Sequence, residues 1–123
     1  MTTVLVVDDE PQNVELLGRR LARRGFAVVG ANSAAEALAQ ASLHRPSVVL
    51  MDIKMPVVDG FEATRMLKGH ADTRDIPVIA LTAHAMQEDR DRAFAAGACE
   101  YETKPVDLER LVGKIQALAG TAP

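Results

Sequence analysis

Four short runs, "TVLVVD" (3–8), "AVVGA" (27–31), "SVVLMD" (47–52) and "PVIALT" (77–82), are rich in Val and Ile and stay apolar until they end. A run without polar alternation has no side to show to water, so each predicts a strand buried on both faces. Such strands sit in a parallel sheet with helices above and below it. A weaker fifth strand is expected near "CEYET" (99–103).

Helical patterns fill the gaps. The first starts at Pro11, a residue suited to the first helical position, and Val14, Leu17 and Leu21 form its inner stripe. It stops at Gly25. The second opens on "SAAE", where Ser33 and Glu36 make a capping-box pattern, with Ala37, Leu38 and Ala41 inside. The third spans 60–68 and the fourth 87–96. The fifth follows Asp107 as its cap, with Leu108, Leu111, Val112, Ile115 and Leu118 as an apolar stripe. Strict alternation of strand and helix implies right-handed crossovers and an α/β doubly wound sheet. Ligands of such sheets bind outside the carboxyl ends of the strands.

Those ends carry the chemistry. Asp8 and Asp9 close the first run, Asp52 the third and Thr82 the fourth, while Lys104 lies just past the fifth. A parallel sheet gathers them along one edge. Two carboxylates about 4 Å apart repel by roughly 4 kcal/mol at an effective dielectric near 20. That equals about three pKa units. Either one acid keeps its proton or a cation sits among them. An all-oxygen set suits Mg²⁺, which keeps positions open for phosphate oxygens. Lys104 would add a point charge to the same phosphate and Thr82 a hydroxyl. Asp52 is then the possible nucleophile, since carboxylates form aspartyl phosphates.

Each of these residues also has a plainer reading. A strand-end Asp is commonly a cap or turn residue, so Asp9 or Glu10 could cap the first helix and Asp59 the third. It is the ordered set of acid, acid, hydroxyl and amine on successive strand ends that favours a site.

Composition narrows the partners. The 123 residues suit one domain, 1–123, with 17 acids against 14 bases and a net charge of −3. No basic excess favours nucleic acid, and 3% aromatics leave little for base stacking. Cys99, the single cysteine, forms no internal disulfide, fits a reducing compartment and is expected to be packed. No leader and no run near the ~20 apolar residues of a bilayer span is present, so the expected location is the cytoplasm. Among weaker features, His44 and His70 read as surface residues and Met51 as core. "RRLARRG" (19–25) reads as a solvated face or a docking surface.

Together, "VVDDEP" (6–11), "MDIKMPVVDG" (51–60), "LTA" (81–83) and "TKP" (103–105) closely resemble the receiver domains of two-component response regulators. The likeness covers nearly the whole chain, and "LTAHAM" looks like single-domain regulators and hybrid-kinase receivers. It implies a flavodoxin-like sheet of five parallel strands in the order 2-1-3-4-5, flanked by five helices. It implies that Asp52 accepts a phosphoryl group from a phosphohistidine on a histidine kinase or phosphotransfer protein. Mg²⁺ would be held by Asp8, Asp9, Asp52 and the backbone carbonyl of Lys54. Lys104 would hold a phosphoryl oxygen, Thr82 would turn toward it, and Tyr101 would be the switch aromatic. Lys104–Pro105 would be the family's cis peptide. The output would be a downstream protein met by helix four, strand five and helix five, without direct nucleic-acid or membrane binding. The chain would be a monomer or a weak phosphorylation-dependent dimer.

Three positions set this sequence apart. Glu102 replaces the family's usual apolar strand residue, which bears on the fifth strand and on the inward pocket for Tyr101. Lys54 and His84 occupy positions that tune phosphoryl lifetime, and a long cation at Lys54 predicts slow self-dephosphorylation. Two other functions compete. A Mg²⁺-dependent small-molecule phosphohydrolase with an aspartyl-phosphate intermediate would want a general acid where Lys54 stands, and a substrate cap. A flavodoxin-like cofactor binder would want Gly, Ser and Thr amides in its first loop. "DDEP" would repel that anion.

Overall fold

The structure, a computed structural model, describes residues 1–83 and 86–119. Five strands alternate with five helices: β1 Thr3–Val7, α1 Pro11–Ala22, β2 Ala27–Ala31, α2 Ala34–His44, β3 Val48–Asp52, α3 Gly60–Gly69, β4 Val78–Thr82, α4 Gln87–Ala96, β5 Glu100–Thr103 and α5 Leu108–Ala119. All strand pairs are parallel, in the order β2-β1-β3-β4-β5. The expected order and the ten elements hold, with ends moved by a few residues at most; Asp8, placed on the first strand by sequence, lies just past it.

Side chains alternate across the sheet and build two cores. Leu5, Val7, Val49 and Met51 face α2, α3 and α4, with Ala37, Leu67 and Ala93 among their neighbours. Val4, Val6, Val48 and Leu50 face α1 and α5, against Leu21, Leu111 and Ile115. Every residue of β3 and β4 is buried, as unbroken apolar runs require. The edge strands β2 and β5 are mostly half-buried, which explains the weak fifth signal.

Local chemistry sets the helix ends. Ser33 Oγ accepts from the Glu36 amide (3.1 Å), while Glu36 Oε1 accepts from Asn32 N (2.9 Å), so the box closes one residue earlier than usual. Asp59 and Asp107 each accept an amide three residues on, capping α3 and α5. Gly60 is forced: a Cβ there would stand 2.2 Å from the Asp52 carbonyl oxygen. Its bareness lets α3 start directly against the end of β3. α1 ends before Gly25, which turns the chain back at φ 94°.

One expectation fails outright. Cys99 is exposed: it precedes the edge strand, where its amide (2.9 Å) and its Sγ (3.6 Å) both reach the Val78 carbonyl. His44 and His70 are exposed and Met51 is fully buried, as expected. His84 lies outside the described residues.

Candidate functional site

The carboxyl ends of β1 and β3 bring Asp8, Asp9 and Asp52 together. One oxygen of each carboxylate lies within 4.8 Å of the others. Asp8 and Asp52 are buried and Asp9 is half-exposed. The plainer readings of these acids are realised only in part: Asp8 makes a turn bond to the amide two residues on, and Glu10 stands at the helix start without a capping bond. Glu10 takes the cap position of α1, and no side chain caps that helix. Asp8 Oδ1 accepts instead from the Glu10 amide (3.0 Å), and its carbonyl accepts from Asn32 Nδ2 (3.0 Å), which fixes the loop. Asn32 is a support that the strand-end pattern did not reveal.

Lys104 crosses the rim. Its Nζ is 3.2 Å from Asp52 Oδ1 and 3.5 Å from Asp8 Oδ2. The Lys104 amide donates to the Thr82 carbonyl (2.7 Å), and the Lys104–Pro105 peptide is cis. The Lys54 amide donates to Asp52 Oδ1 (3.2 Å), so the peptide two residues on folds over the acceptor. Burial pushes the Asp52 carboxyl above its ordinary value; Lys104 opposes this, the Asp8 charge adds to it, and the two donated bonds oppose it again. The sum is an acid whose charge lacks compensation, which suits a divalent cation. Three clustered carboxylates are the hard oxygen set that Mg²⁺ takes.

Thr82 is buried at the end of β4. Burial raises the Tyr101 phenol above its ordinary value, and a hydrogen bond with Thr82 opposes that shift. Tyr101 is therefore turned inward, packed on the first core. Tyr101 packs on the first core despite the buried Glu102 beside it, and β5 pairs regularly with β4. Beside Thr82 a cavity of about 440 Å³ opens between Lys54, Phe61 and Arg92. The Arg92 guanidinium lies over the Phe61 ring at 4.1 Å, joining α4 to α3.

Residues 4–116 match the family model of the response regulator receiver domain. The chain belongs to that family. This receiver is 37% identical over 120 residues to the polar-differentiation response regulator DivK of Brucella anthropi, covering 98% of each chain. Vibrio cholerae chemotaxis protein CheY4 superposes with a TM-score of 0.89 at 30% identity, over 96% of this chain and 98% of the other. The receiver domain of sensor histidine kinase PA1611 from Pseudomonas aeruginosa gives 0.88 at 33% identity, over 98% of each, and holds a magnesium ion in its active-site cleft. The receiver is thus a signalling module of two-component systems, a family whose partners are histidine kinases and phosphotransfer proteins. None of its described helices is long and apolar enough to cross a membrane.

Proposed function

We propose that this receiver is a phospho-accepting switch in which Asp52 takes a phosphoryl group from a partner phosphohistidine. The observation that carries the reading is the set of three carboxylates with Lys104 reaching two of them. An Asp52 oxygen bonds to phosphorus as the bond from phosphorus to the imidazole nitrogen breaks, and the imidazole leaves. Phosphoryl transfer depends mainly on position and charge neutralisation. Asp8, Asp9, Asp52 and the Lys54 carbonyl would hold Mg²⁺, which would supply part of that neutralisation. Lys104 shifts its ammonium to a phosphoryl oxygen, and Thr82 turns its hydroxyl to another. Tyr101 follows Thr82, and the surface of α4, β5 and α5 changes for a downstream protein. The phosphoryl group biases this equilibrium only by its unequal interaction with the two states. A shift from 1% to 99% needs about 5.5 kcal/mol.

The partner docks through α1. Arg19 pairs with Glu15 and Arg24 with Glu109, which leaves Arg20 and Arg23 without ion pairs among the described residues. Arg20 and the exposed Leu16 line a groove of about 300 Å³ that leads to Asp8 and Lys104. Arg20→Glu with Arg23→Glu slows transfer from the kinase and leaves acetyl phosphate unaffected. Residues 1–123 act as one domain in the cytoplasm, monomeric or weakly dimeric on phosphorylation. The domain turns over no substrate beyond its own slow dephosphorylation.

Acetyl phosphate with Mg²⁺ tests the reading. A single phosphoryl mass gain, lost in Asp52→Asn, supports it. Sustained phosphate release points to a phosphohydrolase, and no modification in the parent chain overturns the switch.

A further inference from the structure

β5 is the outer strand of the sheet, and its successive side chains part to opposite faces. Tyr101 packs toward the first core. Its neighbour Glu102 points under α5, only 3% exposed. There Glu102 Oε1 accepts from Arg110 Nε (2.8 Å), and Oε2 lies 2.9 Å from Lys114 Nζ. Arg110 and Lys114 stand four apart on α5, on one helix face. Lys114 reaches further, to Glu100 Oε1 (3.2 Å) and to the backbone carbonyl of Tyr101 (2.8 Å).

Apolar packing does not make this joint. The buried core under α5 is drawn from β1, β3, β4, α1 and α5 and from Phe26, and includes no β5 side chain. Among the described residues, β5 is tied to α5 by charge and by one bond to the main chain of Tyr101. Hydrogen bonds are directional, and those from Arg110 to Glu102 and from Lys114 to the Tyr101 carbonyl fix α5 against β5 at named atoms.

We propose that Lys114 is a positioning residue for the Tyr101 switch, holding that residue's carbonyl and linking β5 through Glu102 to α5, so that α5 follows the switch. The inference rests on the phospho-switch reading above and deepens it: it names the contacts through which α5, already part of that output surface, is reached from Tyr101. Coupling of this kind needs an element that both ends bias, and β5 is that element.

The test uses the whole chain, Mg²⁺ and beryllofluoride as the phosphoryl mimic. Tyr101 is the single tyrosine and no tryptophan is present, so intrinsic fluorescence reports the switch residue alone. The Ile115 methyl resonance reports α5. In the parent chain both respond over the same beryllofluoride range. Lys114→Gln keeps the Tyr101 response and cuts the Ile115 shift by more than half, while Lys114→Arg restores it. An Ile115 shift of parental size in Lys114→Gln overturns the inference, as does a silent Ile115 in a parent whose Tyr101 responds. A parent chain in which neither Tyr101 nor the Thr82 amide responds removes the switch reading itself, and this inference with it. Should Lys114→Gln fold poorly, Glu102→Gln weakens the same link from the strand side and is read identically.

Discussion

The Lys104 ammonium lies 3.2 Å from Asp52 Oδ1, closing a rim that is otherwise acidic. Its side chain is 31% exposed and that of Asp52 only 7%, so the carboxylate depends on the amine more than the reverse. Lys104→Met leaves two buried carboxylates facing each other. Removing one partner of a buried polar pair costs about 1–3 kcal/mol, and partial exposure of Lys104 places this case near the lower end. Urea denaturation in EDTA should show a loss of about 1 kcal/mol, most of which saturating Mg²⁺ restores. An equal loss with and without the metal would mean that Lys104 acts by packing alone.

Asp52 sets the pH response of the metal-free protein. Its carboxyl is raised by burial from the ordinary 3.8, so the folded chain binds that proton more tightly than the unfolded chain does. Stability from this group is therefore full below 3.8 and lost as pH rises through the raised value. Asp52→Asn lacks this decline and should be the more stable protein at pH 7 in EDTA. Mg²⁺ reverses the ranking, because only the parent chain keeps the full oxygen set. A hundredfold excess over Kd adds about 2.7 kcal/mol to the parent. Thermal melts from pH 4 to 8, with and without the metal, check both halves.

Val57 carries strain beside this rim. It holds φ 67° in the loop between β3 and α3, a region unfavourable for β-branched residues, with its side chain wholly exposed. No packing is lost when it is replaced. Val57→Asn, a residue that tolerates this conformation, should stabilise the fold by about 1 kcal/mol. For a chain of this size that raises Tm by roughly 4 °C. An unchanged Tm would mean that the loop relaxes at no cost.

The rim and the sheet were legible for the same reason. Burial on both faces forbids polar residues within β1, β3 and β4, so Asp8, Asp52 and Thr82 mark strand ends by their polarity alone. The edges were harder to read. β5 is half-buried, and its Glu102 looked like a fault in an apolar strand. The clue lay elsewhere in the chain, in Arg110 and Lys114 set four apart beside the apolar stripe of α5. Long-range pairing of one acid with two distant cations leaves no local pattern. The exposure of Cys99 has a related cause, since residue type predicts burial only where the neighbouring strand is central. The Arg92–Phe61 stack and the Asn32 support are likewise contacts between elements, beyond any periodicity.

Lys54 is placed to affect how long a phosphoryl group on Asp52 would last. Its amide is held to Asp52 Oδ1, while its exposed side chain lines the cavity beside Thr82. Lys54→Ala keeps the backbone bond and clears the path for an attacking water. The half-life of phosphorylated protein, followed by mass spectrometry after removal of acetyl phosphate, should shorten several-fold. A half-life equal to that of the parent would place the barrier to water elsewhere in the site.

Glu102 offers a test of what its ionic joint contributes to stability. Its side chain is 2% exposed, against 56% for Arg110 and 26% for Lys114, so the carboxylate bears most of the desolvation. Replacing a buried ionic group by an apolar one of similar volume is often neutral or stabilising, because no buried charge is left behind. Glu102→Leu frees two cations that already reach water, and Lys114 retains Glu100. Its unfolding free energy from urea denaturation should lie within about 1 kcal/mol of the parent or above it. Arg110→Gln with Lys114→Gln strands the buried carboxylate and should be clearly less stable than Glu102→Leu. Adding Glu102→Leu to that double variant should recover most of the loss, a coupling within the ~0.5–3 kcal/mol seen for residues in one network. If Glu102→Leu instead costs as much as the loss of both cations, the charges hold β5 and α5 together more strongly than apolar packing could.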